Sequence, residues 1–77
     1  MKIQILGTGC PKCKQLTANA EQALKEMGLD AEIEKVTNIA DIVKFGVMVT
    51  PALAVDGKVK SAGKLLSPAE IMSLLNP

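Results

Sequence analysis

The spacing of apolar residues changes several times along the chain, and each change predicts a new element. Residues Lys2 to Leu6 (KIQIL) alternate loosely and are rich in isoleucine, the pattern of a strand. The segment GTG breaks it. Leu16, Ala20, Ala23, Leu24 and Met27 then recur at steps of three and four, one face of an amphipathic helix from about Pro11 to Met27. Proline suits the first position of such a helix, and Gly28 stands where a C-terminal cap belongs. The run DAEIEKV returns to alternation, with Ala31, Ile33 and Lys35 facing one way and Glu32, Glu34 and Val36 the other. Asn38, with Asp41 three residues on, predicts a short helix of capping-box type carrying Ile39, Ile42, Val43 and Phe45 and ended by Gly46. VMVTPALAVDGKVKSAG reads as two strands joined by a tight Asp56-Gly57 turn. Pro51 cannot donate to a ladder, so it belongs at an edge or where a strand begins. SPAEIMSLL predicts a last helix, with Ser67 as N-cap, Pro68 at the first helical position and Glu70 closing a capping box. Ile71, Met72, Leu74 and Leu75 form its expected buried face, and Met48, Met72 and Phe45 are expected in the core.

The resulting order is βαβαββα. A first βαβ unit calls for parallel strands and the final hairpin for an antiparallel pair. The expected fold is α/β: a four-stranded mixed sheet with helices on both faces, in one domain over residues 1–77. No internal repeat or low-complexity tract interrupts it.

Composition narrows the functional classes. The chain has 77 residues, 48% of them hydrophobic, with Phe45 its one aromatic, so its core must be aliphatic. A net charge of +1 is too balanced for binding nucleic acid through phosphate neutralisation. Without interleaved aromatics there is no stacking platform for single strands. No apolar run reaches the length of a membrane span, and MKIQILG lacks the apolar centre of a signal peptide. A cytoplasmic, monomeric protein without membrane or nucleic-acid partners is expected. The absence of histidine leaves thiols, carboxylates, lysines and water for acid–base work.

Both cysteines lie in CPKC, after the first strand. Cys10 falls at the start of the first helix and Cys13 in its first turn. The unpaired amides and dipole of a helix N-terminus favour a thiolate at Cys10, and Lys12 and Lys14 add positive potential. Cys13, one turn on, is expected to be more shielded and placed to attack a mixed disulfide formed at Cys10. Pro11 and Lys12, the middle pair, would tune the couple. Lys12 and Lys14 read equally well as solvated helix-start lysines that steer acidic partners or do nothing. A structural bridge across so short a loop would remove little chain entropy and make a poor staple. Metal binding is the other alternative. Two thiolates supply half of a tetrahedral zinc site with no further Cys or His to complete it, but they suffice for Cu(I) or for an iron–sulfur cluster shared by a dimer.

CPKC at the first βα junction, VTPAL before the third strand, the DGK hairpin and Gly63 after the last strand together resemble the thioredoxin-like superfamily. The resemblance spans the whole chain and is closest to the compact archaeal and bacterial members described as small redox-active disulfide proteins or glutaredoxin-like thioredoxins. It implies dithiol–disulfide exchange through Cys10 and Cys13, with no cofactor beyond that internal disulfide. It implies a flavoprotein reductase as electron donor and disulfide-containing proteins as clients. Pro51 resembles the family's cis-proline beside the active disulfide. It would turn the backbone of Thr50 toward Cys10, where an extended client segment pairs as an added strand. Gly7, Gly9, Val49 and Pro51 are expected to form an apolar docking rim. The chain departs from larger thioredoxins in having Gly9 where an aromatic precedes the first cysteine and Pro11-Lys12 between the thiols. No acidic residue stands out as the buried proton acceptor under the disulfide.

Overall fold

A computed structural model describes residues 2–9 and 11–75, so Cys10 lies outside the described residues. Within them the elements run β1 (Lys2–Leu6), α1 (Pro11–Met27), β2 (Glu32–Val36), α2 (Ile39–Lys44), β3 (Ala52–Val55), β4 (Lys58–Ala62) and α3 (Pro68–Leu75). The sheet order is β2-β1-β3-β4. β1 pairs parallel with β2, Ile3 opposite Ile33, and antiparallel with β3, Ile5 opposite Leu53. β3 and β4 form the expected hairpin, with a register shift between Leu53 and Ala54. Its turn places Asp56 at φ 51° and Gly57 at φ 84°, the two positive dihedrals that a two-residue turn between right-twisted strands requires. The turn is fastened to β1: Lys2 N–H donates to Asp56 Oδ1 at 2.8 Å, and Gly57 N–H to Gln4 Oε1 at 3.1 Å.

Strand alternation divides the apolar residues between two layers. Ile3, Ile5 and Leu53 pack under α1 and α3, against Leu16, Ala20, Ala23, Leu24, Ile71 and Leu75. Leu6, Ala52, Ala54 and Val36 face the other way and are covered by Ile42 of α2 and Val47. Helices therefore lie on both faces, as the element order predicts.

The helix ends follow their sequence signals. Gly28 adopts φ 66° after α1, and Leu29 N–H returns to Leu24 O at 3.0 Å. The Ser67–Glu70 box closes reciprocally: Ser67 N–H donates to Glu70 Oε1 at 3.0 Å and Glu70 N–H to Ser67 Oγ at 3.2 Å. At α2 the Asn38 side chain accepts from Ala40 N–H at 2.8 Å, while Asp41 turns toward Lys44.

Some core expectations need correction. Met48 is 96% exposed, in the irregular segment between α2 and β3, outside the alternation that would turn it toward a core layer. Phe45 and Met72 are half-buried at the edges of the two layers. Leu74 is exposed: α3 turns Ile71 and Leu75, four apart, onto the sheet and Leu74 away from it.

Candidate functional site

β1 ends at Leu6 and α1 begins at Pro11, and the described residues between them, 7–9, lie outside both elements. Pro11 takes the first helical position, where its missing N–H costs nothing. Lys12 and Lys14 point to solvent. No acidic residue occupies this first turn. A helix start is ordinarily stabilised by acids and opposed by lysines, so this end is left electropositive against local preference.

Cys13 is buried, 5% exposed, on the same helical stripe as Leu16, Thr17 and Ala20. The expectation that it is more shielded than Cys10 lies outside the described residues. Thr17, one turn on and also buried, donates its hydroxyl to Cys13 O at 3.0 Å. Gly7 backs the thiol: a Cβ built on Gly7 would collide with Cys13 Sγ. Beside them is a cavity of about 100 Å³ bordered by Gly9, Cys13, Lys14, Thr17 and Lys35. Sequence reading passed over Thr17. Its signal was position, a polar residue four after Cys13 on an otherwise apolar stripe.

The Thr50–Pro51 peptide bond is cis. Thr50 is exposed and Pro51 buried, directly before β3. The segment reaches the cysteine region through Gly7, since Thr50 Cβ lies 3.9 Å from where a Gly7 Cβ would stand. Gly63, just past β4, adopts φ 75° and donates its N–H to Pro51 O at 2.9 Å. A Cβ on Gly63 would stand 2.8 Å from Cγ1 of the exposed Val49, and the positive φ by itself favours glycine there. The four predicted rim residues separate. Gly9 and Val49 are exposed, whereas Gly7 and Pro51 are buried, Gly7 by the Cys13 side chain.

Next to Thr50 a groove of about 490 Å³ runs along α2, lined by Thr8, Ile39, Val43, Gly46, Met48 and Thr50. Ile39, Val43 and Met48 are all well exposed around it. An α2 of six residues has room for one buried apolar side chain, Ile42, and presents its others to solvent. Single exposed apolar residues are ordinary, but a contiguous uncharged set marks a contact surface. Among the described residues, no group of three or more Cys, Asp or Glu side chains is placed to hold a metal ion. Nor is any helix among them long and apolar enough to cross a membrane.

Comparison with known proteins agrees with this geometry. The sequence model of the thioredoxin domain family matches residues 1–76. A thioredoxin of Methanothermobacter thermautotrophicus is 47% identical over 76 residues, 99% of this chain and 99% of that protein. A thioredoxin of Methanocaldococcus jannaschii is 48% identical over 69 residues, 90% of this chain and 79% of the relative. A probable thioredoxin of Methanothermobacter marburgensis is 32% identical over 57 residues, 70% of this chain and 67% of the relative. With a family model matching residues 1–76 and a 47% identical thioredoxin aligned along 99% of it, the chain belongs to the thioredoxin domain family.

Proposed function

We propose that this protein is a thiol–disulfide oxidoreductase that reduces disulfides in client proteins through Cys10 and Cys13. The observation that carries this reading is the position of Cys13. It is a buried thiol in the first turn of a lysine-flanked helix, with two residues between it and the other cysteine of the chain. Cys10 thiolate attacks one sulfur of the client disulfide. A Cys10–client bond forms and the other client sulfur leaves as a thiolate. Cys13 thiolate then attacks Cys10 Sγ, which releases the second client thiolate and leaves a Cys10–Cys13 disulfide. Two electrons pass to the client, and both client thiolates take protons from solvent.

Lys12, Lys14 and the helix N-terminus favour the Cys10 thiolate, and Pro11 and Lys12 tune the couple. Thr50 and Pro51 receive an extended client segment, while the Ile39–Val43–Met48 groove takes an apolar side chain beside the client's disulfide. The electrons reside in the cysteine pair with no further cofactor. A flavoprotein reductase returns the pair to the dithiol, and the protein works as a cytoplasmic monomer. The test is insulin reduction by dithiothreitol with catalytic amounts of protein. Wild type accelerates it and Cys10→Ser does not; equal rates would sink the reading. Cys13→Ser accumulates mixed disulfides with clients, and alkylation near neutral pH labels Cys10 before Cys13.

A further inference from the structure

Gly9, Gly28, Gly46, Gly57 and Gly63 all adopt positive φ, which accounts for glycine at each. Gly7 does not, so its backbone would accept any residue. Space is what demands glycine there. A Cβ would collide with Cys13 Sγ and stand 3.3 Å from Cys13 Cβ. The backbone on both sides of this contact is held, so only the Cys13 side chain can give way. Gly7 is held past the end of β1 by its N–H, which donates to Val36 O of β2 at 3.0 Å. Cys13 is buried in a helical turn whose carbonyl is bonded by Thr17. The Cys13 sulfur is therefore seated on bare backbone, at the point where β1, α1 and the Thr50 segment converge.

We propose that Gly7 is a positioning residue for the resolving step: its missing side chain holds Cys13 Sγ where it attacks the mixed disulfide at Cys10. This rests on the dithiol-exchange reading above. In that step the Cys13–Cys10 bond forms, the Cys10–client bond breaks, and the client sulfur leaves as a thiolate. A methyl at position 7 can be accommodated by rotating Cys13 about χ1, which displaces the attacking sulfur and leaves in place the lysines and helix start that favour the Cys10 thiolate. Misplacement of a reacting atom by about 1 Å slows a step by up to about 100-fold.

The test is stopped-flow reaction of the reduced protein with 5,5′-dithiobis(2-nitrobenzoate), which separates the two steps. Attack by Cys10 releases one thionitrobenzoate, and resolution by Cys13 releases a second. Gly7→Ala should leave the first phase within about twofold of wild type and slow the second about 10- to 100-fold. Wild-type rates in both phases would overturn the proposal, and so would equal slowing of both. A wild type without a second phase, or Cys10→Ser with full insulin reduction, would instead remove the dithiol reading itself. If Gly7→Ala alone does not fold, denaturation midpoints in a Cys13→Ala background decide. Removing the sulfur should restore most of the stability lost at position 7, a coupling expected of touching side chains. Equal loss in both backgrounds would show that the sulfur is not what glycine accommodates.

Discussion

Ser67 and Glu70 show how a few atoms at a helix end connect sequence to pH response. Two hydrogen bonds with Ser67, the first to its backbone N–H and the second to its hydroxyl side chain, hold the Glu70 carboxyl below its ordinary value of 4.5. A carboxyl lowered in the folded state stabilises the fold fully above that ordinary value. The contribution fades as pH falls through the lower folded value. Glu34 behaves alike: Gln4 and then Lys2 donate to it, Lys2 Nζ at 3.1 Å, and both hold its pKa down. Glu70→Gln keeps an acceptor but loses the charge. Its deficit in urea midpoint relative to wild type should therefore be largest near neutrality and shrink below about pH 4. A deficit independent of pH would assign the box no ionic part. Ser67→Ala, which removes the cap itself, should cost about 1 kcal/mol in the same measurement. The Ser67–Glu70 box was legible in the sequence because its partners lie three residues apart. The seat of Cys13 on Gly7 was not, because no local pattern says which glycine of GTG meets a side chain six residues on.

At the scale of elements, α2 and the segment after it diverge most from what periodicity suggests. Six residues make under two turns, too short to be stable without packing. Ile42 and Val47 anchor this stretch to the sheet, while Ile39, Val43, Met48 and Val49 remain outside. An apolar residue in sequence is ordinarily credited to the core, and Met48 departs from that expectation. Burial is set by what stands opposite, and Met48, in neither helix nor strand, stays 96% exposed. The groove gives this exposure a use. Met48→Asp should raise KM for protein clients with aliphatic residues beside their disulfide by about tenfold, the scale of one lost apolar contact. Cys10 alkylation should keep its rate, and the denaturation midpoint should barely move, as for other exposed positions. An unchanged KM would mean that clients do not use the groove.

For the molecule as a whole, one four-stranded sheet separates a deep layer under α1 and α3 from a thinner, alanine-containing layer under α2. Leu53 is fully buried at the centre of the deep layer. Leu53→Ala should cost about 2–5 kcal/mol, a large part of the 5–15 kcal/mol typical of a domain. Leu65→Ala, at a position 42% exposed, should cost under about 0.5 kcal/mol. Chemical denaturation compares the two, and similar losses would contradict the layer assignment. The sequence alone determined the element order, the facing of the strands, the hairpin turn, the helix caps and the pairing of CPKC with a proline before the third strand. Each of these is written in spacing over a few residues, where periodicity and turn chemistry act. Only the tertiary structure decided that Gly7 lies on Cys13, that Gly63 holds Pro51 and that Met48 borders an open groove. Those contacts join residues from separate elements, and packing in three dimensions selects them.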